Sequence, residues 1–174
     1  MPSPIAHAAS GYVLGKLLPS PQSSLPKSNH NFLVFYAVFV AIVADFDFVP
    51  QLITGAKFHR GFTHSLPFAF IFSVIVALLI VWARKVNYWS IFKFTFLIYG
   101  SHLLLDYFTK GGQGMQLFLP FTDQFFQSSI FLFPQVHHSR GLFDASHWIF
   151  ITFEIIYSLV IVLGTFWWQK LRKN

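Results

Sequence analysis

Histidine and aspartate side chains are gathered in four short patterns along this chain. The chain has only six acidic residues, and three of them belong to these patterns. The rest is apolar enough for a bilayer, where an unpaired carboxylate or imidazole is costly and usually has a function. Without cysteine, these residues predict a metal site with oxygen and nitrogen ligands. The patterns are His7 alone, Asp45-Phe46-Asp47, the run from His59 to Ser65, and His102-Leu103-Leu104-Leu105-Asp106.

His102 and Asp106 lie four residues apart in an apolar segment with the character of a helix. At that spacing both side chains project from one face, so they can bind a single ion. A hydrogen bond between the two side chains is the alternative. Because burial in an apolar span demands a strong compensating partner, the metal interpretation is favoured.

Asp45 and Asp47 are two residues apart, shortly before Pro50, where the preceding helix is expected to end. Two carboxylates this close repel each other unless they share a proton or a cation. Both are candidate metal ligands, for neighbouring ions or for a bridge between two ions, and either is a candidate catalytic base. A solvated helix end is the alternative for this pair taken alone.

His59 and His64 enclose a short loop ahead of the next apolar helix. Thr63 or Ser65 is placed to cap that helix. The positive end of the helix dipole disfavours imidazolium, which leaves His64 neutral and able to bind metal. Arg60 could hold a phosphate with its planar fork and offset charge that develops during a reaction. An interfacial anchor is the alternative for Arg60.

Five further ionisable residues are weaker candidates. His137 and His138 fall in a polar loop, from which a histidine could touch a substrate. Asp123 is expected at a turn or behind the metal ligands. His147 and Glu154 lie on one face of the last helix as another possible ligand pair, but a hydrogen-bonded Glu154 inside the bundle is the preferred interpretation.

The composition places these residues in a membrane protein. Of 174 residues, 55% are hydrophobic and only 10% are charged, against about 25% charged in soluble domains. The formal net charge of +6 does not indicate nucleic-acid binding, because the twelve lysines and arginines are scattered along the chain and form no basic stripe. The absence of cysteine excludes disulfides and thiolate metal ligands. The length predicts a single domain over residues 1–174.

Five apolar segments must position the candidate ligands. Because about 20 residues cross a hydrocarbon core, we predict an all-α, polytopic membrane bundle of four to five transmembrane or membrane-inserted helices. A long irregular loop at 109–146, rich in Gly, Phe and Pro, is predicted as a lid, or as a re-entrant or interfacial segment over the site. The segments cover residues 5–18, which is too short to span comfortably, and residues 32–50, 66–83, 88–108 and 148–168.

If successive segments alternate across the bilayer, the candidate ligands all fall at one end of the bundle. Taken alone, His7 would be interpreted as a packed or capping histidine. Its expected position beside the other candidates makes it a candidate ligand. More lysines and arginines fall at the opposite end, which the positive-inside rule assigns to the cytoplasm. The site is therefore predicted on the non-cytoplasmic face.

Five short elements occur in the order seen in a known family. They are Pro4-Ile5-Ala6-His7 with Gly11, Asp45-x-Asp47, His59-Arg60-x-x-Thr63-His64-Ser65, His102-x-x-x-Asp106 with Thr109, and Pro120-Phe121-Thr122-Asp123. They resemble the YdjM/YbcI family of bacterial and archaeal inner-membrane proteins, regarded as metal-dependent hydrolases. That family is distantly similar to zinc-dependent phospholipase C and the P1-type nucleases, although the second His-x-x-x-Glu/Asp pair of those soluble enzymes is absent here. The resemblance implies metal ligands at His7, Asp45, His59, His64, His102 and Asp106.

We therefore expect a membrane-bound, metal-dependent hydrolase in a bacterial inner membrane. Two or more divalent ions, preferably zinc with manganese or iron as alternatives, would activate water to attack a phosphoester of a lipid or another small membrane-associated molecule. Asp45, Asp47 and Arg60 are the candidate catalytic residues, and Asp47 joins the metal ligands. Two alternatives use the same cluster: a metal-ion or proton transport protein, and a non-catalytic scaffold with a coordinatively closed structural metal.

Overall fold

The fold is taken from a computed structural model of the chain. It describes residues 4–21, 30–54, 60–84, 86–134 and 145–172. The predicted ligand His59 and the loop histidines His137 and His138 lie outside the described residues.

The described part of the chain is built from helices and irregular segments, which confirms the predicted all-α class. It contains no β-strand, and only two isolated bridges pair Thr109 with Phe133 and Met115 with Phe126. The α-helices are α1 (Pro4–Leu17), α2 (His30–Ile42), α3 (Phe48–Thr54), α4 (Leu66–Arg84), α5 (Tyr88–Tyr107) and α6 (Ala145–Leu171), with short 3-10 helices at Val43–Asp47 and Phe62–His64.

Three helical stretches among the described residues are long and apolar enough to cross a membrane. They are Asn31–Pro50, Leu66–Arg84 and Ser146–Leu171. Helix α5 has 20 residues but carries Lys93, His102 and Asp106, which lowers its apolarity. Helix α1 has 14 residues, or roughly 21 Å at the α-helical rise, which is short against a hydrocarbon core of about 30 Å. Beyond the three stretches, the count of four to five membrane helices stays a prediction.

Glycines let helices α1 and α2 approach each other closely. A Cβ added at Gly11 would lie 2.7 Å from both the Ala37 carbonyl oxygen and the Ala41 Cβ, and one at Gly15 would lie 2.9 Å from the Ala37 Cβ. Small residues four apart are a common device for such contacts between membrane helices, because they let the backbones meet. The Gly11–Gly15 face therefore fixes α1, and with it His7, against α2.

Helices α4 and α5 form an antiparallel pair whose ends are defined by local caps. Asn87 caps α5, since its side chain accepts a hydrogen bond of 3.0 Å from the Ser90 amide. Ser65 caps α4 by accepting from the Phe68 amide at 3.2 Å, which confirms one of the two predicted caps. The apolar core between α2, α4 and α5 includes Ile98 and Tyr99, both fully buried.

Of the loop predicted at 109–146, residues 109–134 are described as irregular structure, whereas residues 145 and 146 belong to α6. The loop backbone is hydrogen bonded to the last turn of α5, where the Ser128 amide donates to Tyr107 O at 3.0 Å and the Leu132 amide donates to Phe108 O at 2.8 Å. Phe133 is buried beside Ala6, Leu105 and Phe150. The segment is irregular, as predicted, and it lies at the end of the bundle where α5 finishes.

Candidate metal centre

Four separate elements bring the predicted ligands to one end of the bundle. His7 comes from the first turn of α1, and Asp45 from the 3-10 helix that follows α2. His64 ends the 3-10 helix ahead of α4, and the last two turns of α5 supply His102 and Asp106. All these side chains except that of Asp45 are almost completely buried, and Asp45 is largely buried. The convergence expected from alternating segments is thus present among the described residues.

The tightest group joins His64, His102 and Asp106. His64 Nε2 lies 3.1 Å from His102 Nε2 and 3.3 Å from Asp106 Oδ2, and His102 Nε2 lies 4.0 Å from Asp106 Oδ2. Zinc–nitrogen bonds of about 2.0–2.1 Å in tetrahedral geometry place ligand atoms roughly 3.3 Å apart. The three atoms are therefore spaced as ligands of a single ion, and their residues form one of two groups among the described residues that could hold a metal.

A second group of possible ligands consists of His7, Asp45 and His102. Asp45 Oδ1 lies 3.7 Å from His102 Nε2, and the His7 ring stacks on the His102 ring with centroids 3.7 Å apart. His7 Nε2 also lies 3.5 Å from Asp106 Oδ1. Asp106 therefore faces the first group with one oxygen and His7 with the other, which is the arrangement of a bridging carboxylate.

A backbone carbonyl fixes the tautomer of His102. Its Nδ1 lies 2.8 Å from the carbonyl oxygen of Ala41, and because a carbonyl only accepts hydrogen bonds, Nδ1 carries the proton. Nε2 is left as an acceptor that points into the cluster. Metal-binding histidines commonly have such a partner on the second nitrogen, which sets the ring orientation.

Asp47 plays a different part from Asp45. Its Oδ2 lies 3.1 Å from His64 Nδ1 and accepts a hydrogen bond of 2.6 Å from the Thr63 hydroxyl. The structure thus places Asp47 behind the His64 ring, while His64 Nε2 faces the cluster. Burial alone would lower the pKa of His64, but the carboxylates of Asp45, Asp47 and Asp106 outweigh it and raise the pKa to about 9. The neutral ring expected from the helix dipole is therefore wrong for the metal-free protein, and a bound ion would have to displace the proton from Nε2.

Several buried polar atoms in the cluster have no hydrogen-bond partner within the described part of the chain. Buried polar atoms are almost always paired, so such a concentration calls for an explanation. A bound cation would satisfy the carboxylate oxygens and the histidine nitrogens together. The atoms are both ring nitrogens of His7, both carboxylate oxygens of Asp45 and of Asp106, and Nε and Nη2 of Arg60.

Arg60 borders the cluster in a strained backbone conformation. Its φ is +63°, a region that residues other than glycine adopt rarely and often at functional sites. Nη1 donates to the Gly111 carbonyl at 2.8 Å, and Nε lies 4.0 Å from Asp106 Oδ2. The Nε and Nη2 atoms are buried without a hydrogen-bond partner among the described residues.

Sequence reasoning missed the residues that orient the ligands. The Ala41 carbonyl gives no signal in a sequence, because any residue supplies one. Tyr99 donates from its hydroxyl to the Thr63 carbonyl at 2.7 Å and so supports the short helix that carries His64. A tyrosine within an apolar helix, one turn before His102, was the available signal, since a buried phenol needs a hydrogen-bond partner.

The weaker candidates lie outside the two groups of possible ligands. Glu154 is fully buried in α6, which agrees with the interpretation favoured from the sequence. His147 lies in the first turn of that helix. Asp123 is exposed, and its backbone carbonyl accepts from the Gln116 side chain at 3.2 Å. None of these three acidic or histidine side chains joins the groups found among the described residues.

Comparison with known proteins identifies the family. The family model described as "YdjM inner membrane protein" matches residues 1–173. The "Inner membrane protein YbcI" of Escherichia coli (strain K12) is 31% identical over 186 residues, covering 98% of this chain and 99% of the relative. No solved structure matches the chain, so the more distant similarity to phospholipase C and the P1-type nucleases stays a prediction. The agreement over nearly the whole length, together with the membrane-spanning helices, shows that this chain belongs to the YdjM family of inner membrane proteins.

Proposed function

We propose that this inner membrane protein is a metal-dependent hydrolase that acts on a phosphoester of a lipid or another membrane-associated molecule. The observation that carries the proposal is the group His64, His102 and Asp106, with three donor atoms spaced for one ion and buried at the end of an apolar bundle. Ionisable residues in such surroundings usually serve function rather than stability.

The donor set suits a divalent metal with a preference for zinc. Imidazole and carboxylate ligands bind zinc well, although manganese and iron accept the same donors. His102 can serve only one ion, because its Nδ1 is committed to Ala41. The two groups share His102, so a second ion would be held by His7 and Asp45, and Oδ1 of Asp106 lies 3.5 Å from His7 Nε2.

The chemistry that such a centre supplies when loaded is the activation of water near neutral pH. The protein's own part is to hold the reactants. Asp45 is placed to accept a proton, because both its oxygens are buried without a hydrogen-bond partner in the described residues and its Oδ1 lies 3.7 Å from Nε2 of both His64 and His102. Arg60 is placed to bind the anionic group under attack through Nε and Nη2. Exclusion of water strengthens both interactions.

A hydrolysis assay with two kinds of substrate tests this proposal. The purified protein, loaded with zinc or manganese, is assayed with bis(p-nitrophenyl) phosphate and with a fluorescent phospholipid in mixed micelles. We expect turnover that is lost in His102→Ala and kept in His147→Ala, a histidine outside both groups. Metal-loaded wild-type protein that hydrolyses neither these nor a wider set of phosphoesters would argue against the enzyme and favour a structural metal.

A buried polar stripe on α6 favours a second candidate, the transport of protons or metal ions. Glu154 and Thr165 are buried, and the Ser158 hydroxyl is buried without a hydrogen-bond partner among the described residues. Tyr157 hydrogen bonds to Ser10 of α1 at 2.8 Å. These residues are spread along a helix that is long and apolar enough to cross the membrane, and buried polar groups within such a helix are a feature of proton and ion relays. Proton flux into vesicles that carry the protein, lowered by Glu154→Gln, would support transport, and wild-type vesicles without flux would remove it.

A further inference from the structure

The loop over the metal centre exposes an unusual number of large apolar side chains. Phe121 is 83% exposed and Ile130 is 69% exposed. Between Gly111 and Pro134 the only charged residue is Asp123. Contiguous apolar surface of this kind is rarely left in water and marks a contact with a membrane or another protein. The exposed apolar residues of the loop are Phe118, Phe121, Phe125, Ile130, Phe131 and Leu132.

The backbone that carries these exposed side chains is held in place by main-chain hydrogen bonds. The Met115 and Phe126 backbones exchange two hydrogen bonds of 3.0 and 2.8 Å, and the Lys110 amide donates to Phe133 O at 3.1 Å. Gly114, at a φ of +93°, lies so close to Phe126 that an added Cβ would collide with its carbonyl oxygen. The hydrogen-bonded backbone of the loop therefore holds its apolar side chains outward, whereas Phe133 packs into the bundle.

The loop lies at the level where a membrane-spanning helix begins. The first amide of α4, that of Leu66, donates to Leu117 O at 2.8 Å, and the Gln116 amide donates to Arg60 O at 3.2 Å. Helix α4 is one of the three stretches able to cross the bilayer, and its outer face is apolar and exposed. The loop's exposed side chains thus continue the lipid-facing surface at its end.

The short helix α3 adds to this surface. It begins within the last residues of the membrane-spanning stretch, which ends at Pro50, and Phe48, Val49 and Ile53 on it are exposed, Ile53 by 79%. Aromatic and aliphatic side chains at the end of a span are suited to the boundary between headgroups and acyl chains.

From these observations we infer that the loop 118–132 is seated in the bilayer, with Phe121 and Ile130 inserted at the boundary between headgroups and acyl chains on the side of the metal centre. The lipid is the occupant that fits best, because the surface carries almost no charge and is continuous with helices that already face acyl chains. The metal centre would then open beside lipid headgroups. The inference concerns the loop's surroundings and stands whether or not the centre is catalytic.

Spin labelling tests the inference without background, because the chain has no cysteine. Phe121→Cys and Ile130→Cys are labelled with a nitroxide, and the protein is placed in vesicles of phosphatidylethanolamine and phosphatidylglycerol. Collision with oxygen, which concentrates in the bilayer, is compared with collision with a water-soluble nickel chelate. Leu78→Cys on the exposed face of α4 gives the lipid reference, and Asp123→Cys gives the polar reference within the same loop.

We expect the ratio of oxygen to nickel accessibility at Phe121 and Ile130 to lie severalfold above that at Asp123 and close to that at Leu78. A ratio at either position that equals the Asp123 value and lies well below the Leu78 value would overturn the inference. In that case the surface faces water or another protein. Because both side chains are mostly exposed, their replacement leaves the packing of the bundle intact.

Discussion

Asp47 Oδ2 lies 3.1 Å from Nδ1 of His64, on the opposite side of the imidazole ring from the nitrogen that faces His102. This contact gives the two neighbouring aspartates different positions, since Asp45 faces the cluster and Asp47 supports a ligand from behind. Carboxylates in the latter position orient a metal-binding histidine and increase its basicity. The Thr63 hydroxyl, which donates to the same oxygen, completes the support.

Replacement of Asp47 by asparagine should therefore weaken metal binding without abolishing it. Partners of metal-bound histidines contribute on the order of 10- to 100-fold to affinity, whereas loss of a ligand should remove the site. Competition with a zinc chelator measures the difference. Asp45→Asn serves as the matched change on the cluster side. Equal affinities of wild type and Asp47→Asn would show that Asp47 does not orient His64.

We predict that Arg60 binds the substrate and is not required for metal binding. Arg60→Lys keeps the positive charge but loses the planar fork that holds an oxyanion through two nitrogens. We expect the variant to retain full metal content and to hydrolyse phosphoesters on the order of 10²-fold more slowly. Elemental analysis beside the activity assay separates the two effects. Metal loss that parallels the loss of activity would instead place Arg60 in the support of Asp106.

The contact between α1 and α2 should control both stability and metal content. Gly11→Ala would place a Cβ 2.7 Å from the Ala37 carbonyl oxygen, and overpacking of this kind typically costs about 1–3 kcal/mol. Displacement of α1 would also move His7 away from Asp106. Thermal unfolding in detergent should show a lower midpoint for Gly11→Ala.

The matched control for this change is Gly100→Ala, because nothing lies within 4 Å of a Cβ added at Gly100. Alanine has the higher helix propensity, so the midpoint of this variant should stay the same or rise. A Gly11→Ala variant as stable as Gly100→Ala would show that α1 does not approach α2 this closely.

Tyr99 should influence the metal centre through the backbone of Thr63. Tyr99→Phe leaves the Thr63 carbonyl without its buried donor, at a cost of about 1–3 kcal/mol, and loosens the short helix that carries His64. We expect both lower stability and weaker metal binding. Tyr36→Phe removes another buried hydroxyl contact, to Thr95, away from the cluster. It should lower stability alone, and equal metal affinities of the two variants would contradict the proposed link.

The sequence was sufficient to predict the ligand face of α5 and the meeting of distant segments. The four-residue spacing of His102 and Asp106 follows from helical geometry, and the common end follows from alternation across the bilayer. The separate positions of Asp45 and Asp47 could not be predicted, because they depend on the 3-10 turns of Val43–Asp47, which local composition does not specify.

The backbone groups that hold the site's side chains could not be predicted from the sequence either. The Ala41 carbonyl orients His102 and the Gly111 carbonyl holds Arg60, but neither residue type marks such a role. The loop was predicted as irregular because of its glycines and prolines, yet its attachment to α4 and α5 arises from long-range hydrogen bonds between main chains. Such contacts depend on how the helices pack and are absent from any local pattern.

The most direct test of the account is the metal content of the purified protein. Protein extracted in mild detergent, without chelators, is compared by elemental analysis with His102→Ala and Asp106→Ala, and with His147→Ala and Asp123→Ala as matched controls outside the cluster. We expect at least one zinc or manganese ion per chain in the wild type and in both controls, and its loss in the two cluster variants. Wild-type protein that holds no metal, even after metal is added back, would contradict it.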